Sequence, residues 1–466
     1  MPHASQNSAL LIFTSTMNKV IRIAVIAFLA LVFIFGIKYS AHIQSITGLG
    51  DLRSRIVGAR HIKDGQSPYY HSWYPGDSLR YFSGLYIDTP RVKEKELANL
   101  TASPAMLRCM TVFADEDEYK IDWGFFIAFH LFFVISIALA LYYTPAKKRL
   151  LCLLLLVPFI ITDGWIYHFY VVQHYIPYGF LLTIIIVLLL KNKQFAAGGL
   201  FAILFLLRLN TLLFAIPFLL LAFHYRKFII TSFTGVAIYA VFVLLNPFEK
   251  KLWLDYFSSL KIHQAEQMVE YVPAIQGNFY TLPLLPRNFE GTDYIKLDSL
   301  MRKENFSINK ESSNFKNAYL AVAGHYPSVM ALQLLLLASI VAILLWYIFQ
   351  IREKGKDYVP AYELAITGLL FYFLSNFFST VATVPYHLPQ WWAMAVIYAI
   401  YADRIPRLTI ILFLAGILLN NHFAPDFRGR HLLAEMLLLA SALVVVFIRE
   451  KRTGPDAEQR AVSLSR

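Results

Sequence analysis

The chain has 466 residues, 58% of them hydrophobic, with mean hydropathy +0.53 and only 15% charged. A soluble protein carries about a quarter charged residues, so a water-soluble globular domain is excluded, and the many apolar runs mark an all-α polytopic membrane protein. The net charge of +12 is no nucleic-acid signal: residues 37–122 carry 11 Lys+Arg and 11 Asp+Glu, residues 247–327 carry 9 and 9, and the excess falls mostly at helix ends, as the positive-inside rule expects.

Lys19 and Arg22 stand at the start of the first apolar run, about 20–37, and place the N-terminus in the cytoplasm. The chain then enters a long loop, 37–122. Its start, Gly48 to Tyr69, has the pattern of a short helix lying on the membrane. Gly48 and Gly50 let the chain turn, Asp51 suits an N-cap, and Leu52, Ile56 and Ala59 share one face. Arg53 and Arg60 share another face, and Gly65 and Pro68 end the helix. His61 reads as a polar surface residue and the acidic run 115–118 as a solvated loop.

Span two, about 124–143, returns to Lys147-Lys-Arg149, and 150–163 form a short outward span. Gly164 to Gln173 are aromatic and amphipathic, as an interfacial segment is; about 174–190 return to Lys191 and Lys193. The run 195–223 is interrupted at Arg208-Leu-Asn-Thr211 and reads as two short helices, because only then do the basic clusters on both sides face the cytoplasm. A broken helix at membrane depth is tolerated where it lines a polar cavity. Span seven, about 228–246, leads into the second long loop, 247–327, where Trp253, Phe257 and Leu260 fall on one helix face. Spans of about 328–350, 361–381, 388–402, 407–421 and 431–448 follow. The count is about twelve crossings in one integral membrane domain, 1–450, with a polar, disordered cytoplasmic tail at 451–466.

Four local patterns resemble the GT-C superfamily of integral membrane glycosyltransferases, and within it the family-87 polyprenol-phosphate-dependent mannosyltransferases. They are Asp51 after span one with the run from Gly58 to Tyr69, and Gln173-His-Tyr-Ile-Pro, where the family often has Gly-Gln-X-Asn. The others are Leu207-Arg-Leu-Asn at the helix break, where the family often has Lys then Pro, and Pro385-Tyr-His-Leu-Pro-Gln-Trp391. In the second loop Gln276-Gly-Asn-Phe279 partly matches the family's Gly-Asn-Gln-Ser. The resemblance implies a GT-C bundle with two long extracytoplasmic loops bearing short amphipathic helices. It implies a polyprenyl-phosphate sugar donor (mannose-like hexose or pentose), a lipid-linked or glycan acceptor, and inversion at the anomeric carbon. It also implies an active site on the outer, periplasmic face of a bacterial inner membrane, in service of the cell envelope.

Such a transfer needs a base for the acceptor hydroxyl and fixed cations for the departing phosphate. Asp51 is the base that the resemblance implies. Arg55, Arg60, Arg208 and His387 are candidate donor-phosphate ligands, and Asp163, Tyr170, Gln173, His174, Tyr386 and Gln390 are candidates to line the substrate cavity, beside His168. A carrier that is itself a phosphate ester does not oblige a metal, and neither a divalent metal nor another cofactor is expected. Partners are the bilayer, the donor and the acceptor, not nucleic acid. For each residue a plainer role stands beside the functional one: Asp51 as a helix cap, the arginines as contacts to anionic lipid, Asp163 and His387 as interfacial residues. Ionisable groups near the membrane interior also suit a transporter or flippase of lipid-linked saccharides. A glycan ligase or polymerase using a diphosphate-linked donor is a further rival.

Overall fold

The computed structural model describes residues 4–46, 50–69, 72–73, 77–82, 96–97, 101–267, 313–355, 359–381, 385–427 and 429–448. The tail 451–466, the 276–279 motif and most of the second long loop lie outside the described residues. What is described is helical, apart from a two-residue antiparallel ladder pairing Ser72–Trp73 with Glu96–Leu97.

The helices run in chain order as α1 (Ala4–Ile46), α2 (Gly50–Lys63), α3 (Pro104–Met110), α4 (Glu118–Tyr143), α5 (Arg149–Leu156) and α6 (Asp163–Val171). There follow α7 (Tyr175–Leu190), α8 (Gln194–Leu207), α9 (Leu212–Leu219), α10 (Arg226–Leu245) and α11 (Pro247–Gln267). The C-terminal part comprises α12 (Phe315–Ala323), α13 (Val329–Lys354), α14 (Ala361–Phe377), α15 (Trp392–Ile400), α16 (Arg407–Leu419) and α17 (Arg430–Phe447).

Among the described residues five helices are long and apolar enough to cross a bilayer: Val20–Ile46, Glu118–Tyr143, Arg226–Leu245, Val329–Lys354 and Arg430–Phe447. Several other apolar helices are shorter, among them α7, α8 and α16. Two runs expected as spans are part α-helix and part 3-10 helix. The first continues from α5 through a 3-10 turn to Ile161, and the second opens with a 3-10 turn, Pro385–Trp391, before α15. Pro158, Pro385 and Pro389 sit in those turns and lack the N–H that an α-helical bond needs. The helix does break at Arg208, between α8 and α9.

One contiguous apolar core joins α4, α6, α7, α14 and α15. Aromatic rings dominate it: Phe133 stacks on Trp392 at 5.0 Å between centroids, and Phe373 on Trp391 at 3.8 Å. By contrast, α10 and α13 present exposed Phe233, Leu245, Leu337 and Leu345, the apolar surface that a lipid-facing helix shows. A smaller cluster of Ile62, Tyr69, Leu107, Leu252 and Tyr256 holds α2, α3 and α11 together. The buried stripe of α11 is Leu252, Tyr256 and Ser259; of the apolar face read from the sequence, Trp253 and Leu260 pack at the edge of this cluster and Phe257 is exposed. The partner is the end of α2 and α3, which approaches from the side that Leu252 and Tyr256 face.

Candidate functional site

Helix α2 is seated by its first residue. Gly50 has φ +42°, and a β-carbon there would lie 2.9 Å from the backbone of Val171 at the end of α6. Only glycine allows both that conformation and that approach. Leu52, Ile56 and Ala59 then bury the face that their spacing marks out. Asp51 stands inside the first turn rather than at the cap, where its charge still favours the helix dipole.

Docking of α2 on α6 brings Asp51 to the segment that joins α6 to α7. Arg55, one turn on from Asp51, donates from Nη2 to Gln173 Oε1 at 2.7 Å. The Tyr386 hydroxyl lies beside the Gln173 carboxamide and within electrostatic reach of Asp51, Arg55 and Tyr175. Tyr175 and Tyr386 pack with ring centroids 5.3 Å apart. On the other side of Tyr175 sits Arg208, its guanidinium carbon 4.5 Å from that ring, 5.6 Å from Tyr178 and 5.8 Å from Tyr372. Arg208 Nε donates to Asn210 Oδ1 at 3.1 Å and Nη2 to Asn376 Oδ1 at 3.4 Å. The six residues Asp51, Arg55, Gln173, Tyr386, Tyr175 and Arg208 thus form one continuous patch, most of it partly exposed.

The charges in this patch are unusual. Arg53 and Arg60 pair with Glu118, Arg108 with Glu249 and Arg430 with Asp163. Among the described residues, neither Arg55 nor Arg208 has a carboxylate oxygen within 4.0 Å, and Arg55 Nη1 is buried without a hydrogen-bond partner. Desolvation raises the Asp51 carboxyl above its ordinary pKa, and the nearby Arg55 charge offsets this only in part.

Other expected site residues lie elsewhere. Arg60 is taken up structurally: it donates to Ala114 O at 2.7 Å, Arg80 O at 2.9 Å and Glu118 Oε1 at 2.8 Å, so it is no free phosphate ligand. Glu118, expected in a solvated run, is the shared acceptor of Arg53 and Arg60. His61 is buried and stacked on Tyr81 at 4.4 Å rather than lying on the surface. Asp163 belongs to a separate buried knot, bonded to Arg430 and, at 2.6 Å, to His422 Nδ1. His387 joins Glu435 at 3.3 Å, both buried. Tyr170 is exposed. Gln390 is fully buried with its Cα 3.2 Å from where a Gly179 β-carbon would lie, and its carboxamide lacks a partner among the described residues. His174 is buried behind Gln173 against the Phe125 ring, 5.8 Å away, with neither ring nitrogen hydrogen-bonded among the described residues. His168, also buried, packs at 4.9 Å from Phe129.

No protein-family model, curated protein or solved structure matches this chain. Among the described residues no group of three or more His, Cys, Asp or Glu is gathered as a metal site. Sequence reasoning missed Tyr175, Tyr178, Tyr372, Asn210 and Asn376. Asn210 and Tyr175 stood inside motifs already singled out, so the signal was present for those two. Tyr372 and Asn376 sit in α14, whose apolar run gives no hint that it faces a charge.

Proposed function

We propose that the chain is a membrane glycosyltransferase of the GT-C type, taking a sugar from a polyprenyl-phosphate donor. What supports this is a part-buried carboxylate, Asp51, grouped with Arg55 and Arg208, neither of which has a carboxylate oxygen within 4.0 Å among the described residues. In the proposed reaction an acceptor hydroxyl attacks the anomeric carbon and gives its proton to Asp51. The bond from that carbon to the phosphate oxygen breaks, and its electron pair leaves with the phosphate. Attack opposite the leaving group inverts the centre. Arg55 and Arg208 receive the phosphate charge, which fixed cations stabilise most where water is scarce. The donor-phosphate set is thus narrowed to these two; Arg60 and His387 keep structural roles. Shorter helices on either side of the break complete about twelve crossings in this reading, with α2 and the two long loops on the outer face.

The flippase alternative relied in part on Asp163 as an intramembrane charge, and Asp163 is bound to Arg430 and His422. Purified protein in nanodiscs, given polyprenyl-phosphate hexose or pentose and a lipid-linked saccharide acceptor, tests the proposal. Sugar transfer that disappears in Asp51→Asn supports it. Movement of the lipid-linked saccharide across the bilayer without transfer, or transfer from a diphosphate donor alone, rejects it.

A further inference from the structure

Asp51 and Arg55 stand at positions i and i+4 of one helix, with the acid on the N-terminal side, the orientation that favours an ion pair. The pair does not form: no Asp51–Arg55 contact falls within 4.0 Å, and Arg55 turns instead to Gln173 Oε1 at 2.7 Å. A neutral amide has taken the cation from the adjacent carboxylate. We infer that Gln173 is a positioning residue that holds Arg55 off Asp51 and so keeps that carboxylate able to accept a proton.

The backbone supports this assignment. Gln173 is buried, and its N–H bonds His168 O at 3.3 Å, tying it to the last turn of α6. The residue before it, Val172, has φ +49° and ψ +64° and is 1% exposed. A β-branched residue in left-handed conformation is a genuine outlier and persists only where its surroundings impose it. Its effect is to stop α6 and turn the chain into Gln173. Gly50 meets the same turn through Val171, so the residue before Asp51 and the residues before Gln173 touch. The amide is therefore fixed relative to the helix that bears both Asp51 and Arg55.

The other groups facing this pair do not supply the same restraint. From the turn ahead of α15 comes Tyr386, whose hydroxyl is beside Gln173; from α6 and the start of α7 come His168 and His174, beyond the Arg55 guanidinium. Among the described residues none of them accepts from Arg55. Without the Gln173 carbonyl, the nearest full counter-charge on the same helix is Asp51.

The inference rests on Asp51 as the base, yet its central claim is measurable without turnover. Infrared difference spectra of protein carrying labelled aspartate, with Asp51→Asn as the subtraction control, report the Asp51 titration midpoint. Closing the gap between Arg55 and Asp51 in Gln173→Ala should lower that midpoint by about 1 pH unit, the low end of the effect of an opposite charge at close range, because Arg55 already acts on Asp51 from where it stands. In an Arg55→Gln background the same Gln173→Ala change should leave the midpoint where Arg55→Gln alone sets it. Gln173→Glu, which still accepts from Arg55, should not lower it, and serves if the alanine variant does not fold. An unmoved midpoint in well-folded Gln173→Ala, an equal drop in the Arg55→Gln background, or a drop in Gln173→Glu overturns the inference. Absence of sugar transfer by the wild-type protein would instead reject the glycosyltransferase reading, whatever the midpoints do.

Discussion

Replacing Arg208 with Leu removes a cation that has no carboxylate oxygen within 4.0 Å among the described residues. The guanidinium lies among three tyrosine rings and two asparagine carboxamides, so its charge is available to a ligand. A phosphate oxygen at about 4 Å would gain roughly 4 kcal/mol at an effective dielectric of about 20. Partial exposure of Arg208 roughly halves that, leaving about 2 kcal/mol, or some thirtyfold in affinity. Leu should therefore raise the Kd for polyprenyl phosphate about thirtyfold, measured by native mass spectrometry or by tryptophan quenching in detergent. Arg208→Lys keeps the charge but loses the planar contacts with Tyr175 and Asn210, and should fall between wild type and Leu. A change below about threefold in the folded Leu variant would refute the assignment of Arg208 to the phosphate.

The Asp51→Asn variant should lose about 10²–10⁴-fold in transfer rate, the usual contribution of a general base. It should also unfold no more readily at neutral pH than wild type. Because burial raises the Asp51 pKa, the native state binds its proton more tightly than the unfolded chain, and stability falls as pH rises from the unfolded to the folded midpoint. Asn removes that loss, so a lower melting temperature for Asp51→Asn at neutral pH would contradict the desolvation. On the same grounds, wild-type activity should fall on acidification with a midpoint above that of an ordinary aspartate, seen in a pH–rate profile. Gly50→Ala should weaken both fold and activity, by about 1–2 kcal/mol for the left-handed conformation alone and more from the contact with Val171; comparison of melting and transfer checks it. Asp163→Ala leaves Arg430 buried without its carboxylate and should cost about 3–5 kcal/mol of stability, while transfer per folded molecule stays near wild type.

Much of the site was legible because charge is rare in this chain and each instance had to be accounted for. Arg208 interrupts an apolar run, and with the basic clusters on both sides of that run it marked the break between α8 and α9. Asp51, Arg55 and Gln173 stood near helix ends in patterns already singled out, and they meet. What separates Arg55 from Arg60 was not legible: both lie on one short helix, and the difference is Glu118, remote in sequence and close only after α4 packs against α2. Asp163 and His387 were ambiguous for the same reason, since Arg430 and Glu435 lie in the last helix. The count of crossings was less legible than the class of fold. Hydropathy sees apolar runs, whereas Pro158, Pro385 and Pro389 divide two of them into short helical and 3-10 pieces.

The buried knot at Asp163 has a consequence for synthesis. Its carboxylate begins the helix that ends at the Gln173 turn, and its partners Arg430 and His422 lie in the hairpin of α16 and α17. Tyr39 of α1 bonds His422 at 3.0 Å, so the first helix is fastened to the same point. Contacts this distant in the chain form late, because the loop between them must close first. A nascent chain that has not yet made α17 would have Asp163 without Arg430 beneath the Gln173 turn, so α6 is held in place only once that hairpin has packed.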